Sequence, residues 1–250
     1  IGSLLIYYVL SAKSDLKQLG SNPYIVKTIV TTNLEADIAE HFGVPCYETL
    51  TGFKYIGELM TKLGDSANYL AGGEESYGYL VGDLVRDKDA PNACAFLAEM
   101  TAYFKSKGKT VYEVLMDIYK EFGCYQEKLI SLTKKGKAGA EEIQAMMSGL
   151  RANLPTSLGG VQVKEIRDYQ LSQTTDMRTG EKTAIALPKS DVLQFITVDG
   201  DVISARPSGT EPKIKFYCSV KESLKDTADY ADVQKALEEK VDRMMKDIIG

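Results

Sequence analysis

Tyr24-Ile25-Val26-Lys27-Thr28-Ile29-Val30-Thr31 is followed, one residue later, by Asn33-Leu34-Glu35-Ala36-Asp37-Ile38-Ala39-Glu40-His41-Phe42 and then by Gly43. The first run is dense in β-branched residues and reads as a strand. The second reads as a helix, with Asn33 as its N-cap and Gly43 as its stop. A strand feeding a helix is the repeating piece of a layered α/β domain. Upstream, residues 2–13 read as a buried helix. Downstream, a short strand near Pro45-Cys46-Tyr47-Glu48 precedes a helix that opens at Thr51 or Gly52 and runs to about Leu63. Residues 68–71 read as a strand ending in the pair Gly72-Gly73, and residues 90–106 and 110–122 as helices. The alternation predicts a mostly parallel sheet, and we place this first domain at residues 1–130.

The pattern then changes. Lys134-Lys135-Gly136-Lys137-Ala138-Gly139 reads as a flexible basic turn and as the linker. Residues 141–153 have helical spacing through Ile143, Met146, Met147 and Leu150. Strands follow at residues 161–169, 192–197, 202–205 and 214–220, with Asp199-Gly200 a hairpin turn. A closing helix at about residues 231–248 carries an apolar stripe of Val233, Leu237, Val241, Met244, Met245 and Ile248. Strands bracketed by helices predict a second, α+β domain at residues 131–250.

Composition narrows the function. With 44% hydrophobic and 26% charged residues, the 250-residue chain is expected to be a soluble globular protein. A net charge of −5 argues against general nucleic-acid binding, which wants a basic surface. No run is apolar and long enough to span a membrane. Cys46, Cys94, Cys124 and Cys218 are scattered without a CxxC pair, and we expect reduced, buried thiols in a cytoplasmic protein. The single histidine, His41, gives a histidine metal cage or a Ser-His-Asp triad little to work with. Ile1 opens in what reads as mid-helix, so a fragment of a longer protein is expected.

Four segments carry chemistry. Arg206-Pro207-Ser208-Gly209-Thr210-Glu211-Pro212-Lys213 gathers a guanidinium, two hydroxyls, a glycine and an ammonium between two strand-like runs. Such groups suit a phosphate monoester, although a proline-stiffened hairpin connection is the plainer account. Gly72-Gly73-Glu74-Glu75-Ser76-Tyr77-Gly78 ends a strand at the sheet edge where α/β folds place ligand loops. Its carboxylates and hydroxyl suit the vicinal hydroxyls of a sugar; a solvated acidic turn accounts for them equally. Thr51-Gly52-Phe53-Lys54-Tyr55 puts Lys54 in the first turn of a helix, an anion-friendly position or simply an exposed surface. Gly82-Asp83-Leu84-Val85-Arg86-Asp87-Lys88-Asp89 is an alternating charge cluster. Arg86 and Lys88 can add positive potential, and Asp89 can cap the helix that follows.

Taken together, Gly73-Glu74-Glu75-Ser76, Val85-Arg86-Asp87-Lys88-Asp89, Thr51-Gly52-Phe53-Lys54 and Arg206–Lys213 resemble the third and fourth domains of the α-D-phosphohexomutases, the phosphoglucomutase and phosphomannomutase family. The resemblance implies a three-layer α/β domain with a mostly parallel mixed sheet, followed by an α+β domain like the TATA-box-binding protein. It implies that Glu74, Ser76 and Lys54 meet the sugar and that Arg206, Ser208, Gly209 and Thr210 clamp the phosphate that is not reacting. Arg86 and Lys88 are further candidates. The family's TxSHNP-like serine loop and DGDxDR-like metal loop are absent, the nearest echo being Asp199-Gly200-Asp201. The resemblance therefore implies the substrate-recognition half of a hexose-phosphate mutase, inactive alone and binding no metal itself. The whole enzyme would use Mg²⁺, a phosphoserine and a glucose 1,6-bisphosphate-type intermediate, and the partner of this chain would be its own N-terminal domains. A stand-alone sugar-phosphate-binding module and a phosphopentomutase fragment stay open at this point.

Overall fold

The computed structural model describes residues 1–209 and 211–250; Thr210 lies outside the described residues. Two compact units divide the chain, Ile1–Gly123 with Ser223–Thr227 and Cys124–Glu222 with Ala228–Gly250.

In the first unit, strand β1 (Pro23–Thr28) is flanked in parallel by β2 (Cys46–Thr49) and β3 (Asn68–Gly73), and β4 (Tyr79–Val81) adds an antiparallel edge to β3. The helices are α1 (Gly2–Asp15), α2 (Leu34–His41), α3 (Phe53–Leu63), α4 (Ala90–Ser106) and α5 (Val111–Phe122). Strand alternation sends Tyr24 and Val26 to one face, where they join Tyr69, Leu80 and the α3 residues Phe53, Ile56 and Met60 in a single cluster. The opposite face receives Lys27, Gly73 and Tyr79, and here the first residue of α1, Gly2, stands against the Tyr79 ring. Helices on both faces make the expected three layers.

Two local expectations need correction. The strand expected over residues 24–31 stops at Thr28, because Thr28 turns the chain: its carbonyl accepts from Thr31 N–H and its hydroxyl from Val30 N–H. Asn33 stands at the N-cap with helical backbone angles and makes no side-chain cap; the Thr32 hydroxyl accepts from Leu34 N–H instead. Asp89 does cap α4, accepting from Asn92 N–H at 3.0 Å.

Gly57 in α3 lies against the loop before α4, and a Cβ there would meet the Arg86 carbonyl oxygen at 2.3 Å. Gly→Ala inside a helix ordinarily gains up to about 1 kcal/mol. At Gly57 the sign should reverse, with a loss of about 1–3 kcal/mol from overpacking against backbone. Urea unfolding of Gly57→Ala checks it, and an unchanged or raised midpoint refutes the contact.

The second unit contains β5 (Cys124–Thr133), α6 (Gly136–Ala152), β6 (Ser157–Leu158), β7 (Val161–Asp168), β8 (Gln173–Asp176), β9 (Lys182–Ala184), β10 (Leu193–Thr197), β11 (Val202–Pro207), β12 (Lys213–Glu222) and α7 (Tyr230–Ile249). Its antiparallel sheet has the order β5-β12-β11-β10-β7-β8-β9, with β6 paired to β7. Along β12, Ile214, Phe216, Cys218 and Val220 are buried, in alternation with Lys213, Lys215, Ser219 and Lys221. Helix α7 lies against β5, β6 and β12 and buries Leu237, Val241, Met244, Met245 and Ile248. Val233, at the start of the expected stripe, is only half-buried.

The boundary read at residues 130/131 falls inside β5, every residue of which pairs with β12. The linker reading fails as well. Only Lys134 and Lys135 separate β5 from α6, and Lys134 N–H donates to the Pro212 carbonyl. Gly139 is glycine for packing, since a Cβ there would meet the Lys134 carbonyl carbon at 2.7 Å. The thiols are all free, but Cys94 is exposed and Cys46 half-buried, against the expectation of buried ones.

Candidate functional site

Three of the four chemistry-bearing segments converge at the carboxyl end of the first unit's parallel strands. Gly73 ends β3, and the turn beyond it is closed by Glu74 N–H donating to the Gly78 carbonyl and Tyr77 N–H donating to the Glu74 carbonyl. Tyr77 holds a left-handed φ of 67° to make the turn. A Cβ at Gly78 would meet Lys88 Cδ at 2.8 Å, the flexible stem of an exposed side chain that can move aside. Glu74 is buried and accepts from Gly52 N–H at 2.7 Å, so its carboxylate ties the turn to the N-terminus of α3. The Lys88 ammonium stands 5.9 Å from the Phe53 ring centroid in that same helical turn.

The sequence candidates are therefore placed unequally. Glu74 keeps one carboxylate oxygen for a further donor, and Ser76 is exposed at the tip of the turn. Lys54 is exposed in the first turn of α3, its ammonium 4.8 Å from the Tyr55 ring centroid. Tyr55 N–H donates to the Gly52 carbonyl at 3.0 Å, and the amides of Phe53 and Lys54 before it lie at the positive end of the helix, where no earlier turn supplies an acceptor. Lys88 pairs with Asp87 at 3.1 Å, and Arg86 turns its guanidinium onto the carbonyls of Asp83 and Val85 in its own loop.

In the second unit the Arg206–Lys213 segment joins β11 to β12. Ser208 N–H donates to the Lys213 carbonyl at 2.7 Å, Glu211 N–H donates to the Ser208 hydroxyl, and Lys213 pairs with Glu211 at 3.3 Å. Gly209 has open space where a Cβ would stand, so its glycine answers no crowding. Thr210 lies outside the described residues. Arg206 pairs directly across the ladder with Lys215, and strand alternation puts Lys213 on the same face. Among the described residues no carboxylate pairs with Arg206 or Lys215. Like charges opposed across strands destabilise a sheet, and a bound anion relieves them. Sequence reading stopped at Lys213 and missed Lys215; its signal was the strand period, visible only once the register with β11 is known.

A groove of about 400 Å³ opens beside this loop against the first turns of α6; Ser208, Gly209 and Glu211 line it, and among the described residues neither Arg206 nor any lysine does. The acidic echo Asp199-Gly200-Asp201 is the β10–β11 hairpin turn, and the carboxylate of Asp201 is held by Lys240 at 2.9 Å and by the Thr197 hydroxyl. It offers no open cation site, and among the described residues no group of three or more His, Cys, Asp or Glu side chains is placed to hold a metal. Among them, too, no helix is long and apolar enough to cross a membrane.

A mixed α/β unit followed by an antiparallel α+β unit fits the phosphohexomutases, whose third and C-terminal domain models both match this chain. The model for phosphoglucomutase/phosphomannomutase alpha/beta/alpha domain III matches residues 1–122, and that for the family's C-terminal domain matches residues 136–239. The chain belongs to the phosphoglucomutase/phosphomannomutase family. It is 36% identical over 220 residues to a phosphoglucomutase of Staphylococcus haemolyticus and 36% identical over 221 residues to one of Staphylococcus aureus. These alignments cover 88% of this chain and 39% of either relative, so the chain spans about two fifths of their length. The open form of parafusin, a Paramecium phosphoglucomutase, aligns with a TM-score of 0.61 at 21% identity, over 97% of this chain and 41% of its own. A phosphoglucomutase/phosphomannomutase family protein from Burkholderia thailandensis aligns with a TM-score of 0.56 at 15% identity, over 96% and 41%. At such identities the likeness is one of fold.

Proposed function

We propose that this chain is the substrate-recognition part of a mutase interconverting hexose 1-phosphate and hexose 6-phosphate. The observation that carries the reading is the cross-strand pair Arg206–Lys215, two cations without a carboxylate partner among the described residues, at the root of a loop rich in phosphate donors. Arg206, Ser208, Gly209 and Thr210 would hold the non-reacting phosphate, with Lys215 beside them. A planar guanidinium grips two phosphate oxygens at once, and the loop's N–H and hydroxyl groups complete the shell. Glu74 and Ser76 would accept from and donate to sugar hydroxyls, and Lys54, at the positive end of α3, would meet negative charge on the substrate, with Lys88 and Arg86 contributing potential.

These residues bind and orient; such positioning and charge neutralisation is where this part of the enzyme lowers the barrier. The phosphoserine that exchanges phosphate with the bisphosphate intermediate is proposed to lie in the remainder of the polypeptide. So is the Mg²⁺, which the acidic groups here do not fit and which supplies electrophilic activation when bound. The four free thiols support a reducing, cytoplasmic setting.

Mixed with glucose 1-phosphate and glucose 1,6-bisphosphate, the 250-residue chain should yield no glucose 6-phosphate above background. It should nonetheless bind glucose 1-phosphate weakly in a calorimetric titration. Turnover would overturn the division of labour, and absence of binding would overturn the recognition role.

A further inference from the structure

Lys27 is 1% exposed, at the carboxyl end of the central strand of the first unit. Burying an ammonium costs several kcal/mol unless its protons are all matched, and an aliphatic residue would fill the same strand position without that cost. Here the three protons have three acceptors: the Thr28 carbonyl at 3.3 Å, the Thr31 carbonyl at 3.1 Å and Glu48 Oε1 at 2.8 Å. Two of the three belong to the turn that ends β1. Lys27 therefore fixes the Thr28–Thr31 turn from beneath and ties it to β2 through Glu48.

The same turn reaches the sugar-recognition candidates. The Thr28 and Thr31 hydroxyls are 2.9 Å apart, and Thr28 Oγ1 is 3.2 Å from Glu75 Oε2. A hydroxyl carries one proton, and an ionised carboxylate only accepts. Thr28 must then give its proton to Glu75, so Thr31 donates to Thr28. The chain has one direction: Thr31 to Thr28 to Glu75. Both threonines are buried, so water does not compete for these bonds. Glu75 lies between Glu74 and Ser76, and Glu74 is separately anchored on Gly52 N–H. The turn is thus held at two adjacent carboxylates, one by the α3 terminus and one by the Lys27 assembly.

We infer that Lys27 is a positioning residue for the Glu74–Ser76 turn, acting through the Thr28–Thr31 hydroxyl chain on Glu75. The functional part of this inference rests on the sugar-binding role proposed above for that turn; the structural part does not.

The test uses the whole 250-residue chain and two readouts. In Lys27→Met, amide hydrogen exchange at residues 74–78 should quicken about tenfold, while the β11–β12 ladder amides of the second unit keep their protection. Thr28→Val removes the hydroxyl link but leaves the ammonium and its carbonyl acceptors. It should quicken exchange at the same amides about tenfold or more, since the hydroxyl's bond to the Glu75 carboxylate is lost together with those to Thr31 and Val30 N–H. Calorimetric titration with glucose 1-phosphate should show a matching loss of affinity in both variants, with inorganic phosphate affinity unchanged. Lys27→Met combined with Glu75→Gln should lose less affinity than the two single losses combined. Unchanged exchange at residues 74–78 in Thr28→Val would overturn the inference even if Lys27→Met fails to fold. Quickened exchange in a chain that never bound glucose 1-phosphate would overturn the sugar-binding role and leave the positioning intact. Quickened exchange with undiminished glucose 1-phosphate affinity would overturn the functional half.

Discussion

Lys240→Met is expected to destabilise the second unit by about 3–5 kcal/mol, because it removes one partner of a buried ion pair and leaves the other uncompensated. The Lys240 ammonium is 2.9 Å from Asp201 Oδ1 and 3.3 Å from Glu222 Oε1, with the Lys221 carbonyl at 3.4 Å. Asp201 has no exposed surface; its Oδ1 also accepts from Lys221 N–H, and its Oδ2 from the Thr197 hydroxyl. The network fastens the β10–β11 hairpin and the end of β12 to α7. Methionine keeps an apolar stem of similar length and deletes the charge. Adding Asp201→Asn should recover part of the loss, since the stranded carboxylate is then neutral. Burial acts to lower the Lys240 pKa, but the hydrogen bond and charge of Asp201, with Glu222, outweigh it and raise the value. A lysine raised on folding lends stability that is complete below its unfolded value, about 10.4, and is lost as pH rises through the folded one. Urea midpoints by circular dichroism should therefore fall in alkali for the unaltered chain, and the fall should be shallower in Lys240→Met, where the buried thiols Cys124 and Cys218, also raised by desolvation, still contribute. A loss under about 1 kcal/mol would mean the network does not hold the unit together.

What the sequence disclosed and what it concealed follow one physical division. Elements that bury a continuous apolar face announce themselves: the β1 run, the α7 stripe from Leu237 to Ile248 and the inward residues of β12 were all legible from their periods. Elements with little to bury left no such mark. β5 shows Glu127, Lys128 and Leu129 to solvent along one edge of its sheet, and β8 and β9 form a short polar hairpin at the other. Glycine misled in a single direction. Gly139 read as flexibility and is close packing, because composition records the missing Cβ but not what occupies its place. The site divides likewise. The Glu74 turn and the Arg206 loop were visible because their residue types cluster in sequence. Lys215, Lys27 and Thr28 were not, since their roles arise from ladder register and burial, which bring together groups up to 47 positions apart.

Arg206→Ala in the assembled enzyme is expected to lower kcat/KM roughly 10- to 150-fold, the equivalent of about 1.5–3 kcal/mol for a hydrogen-bonded charged contact. Arg206→Lys should fall between, because an ammonium keeps the charge but not the fork that matches two phosphate oxygens. The prediction has a second arm that a structural role could not produce. Without ligand, Arg206 and Lys215 are like charges directly opposed on β11 and β12. Removing one should relieve repulsion and stabilise the ligand-free hairpin by about 0.2–1 kcal/mol. The same substitution is therefore expected to raise the urea midpoint of the second unit while costing phosphate affinity. Opposite signs are the mark of residues kept for binding at the expense of stability. If Arg206 and Lys215 grip one phosphate, Lys215→Met should repeat both effects, and the double variant should fall short of the sum of the two affinity losses. A drop in stability for either single variant, or additive affinity losses in the double, would place the two cations in separate roles and remove the observation on which the phosphate reading stands.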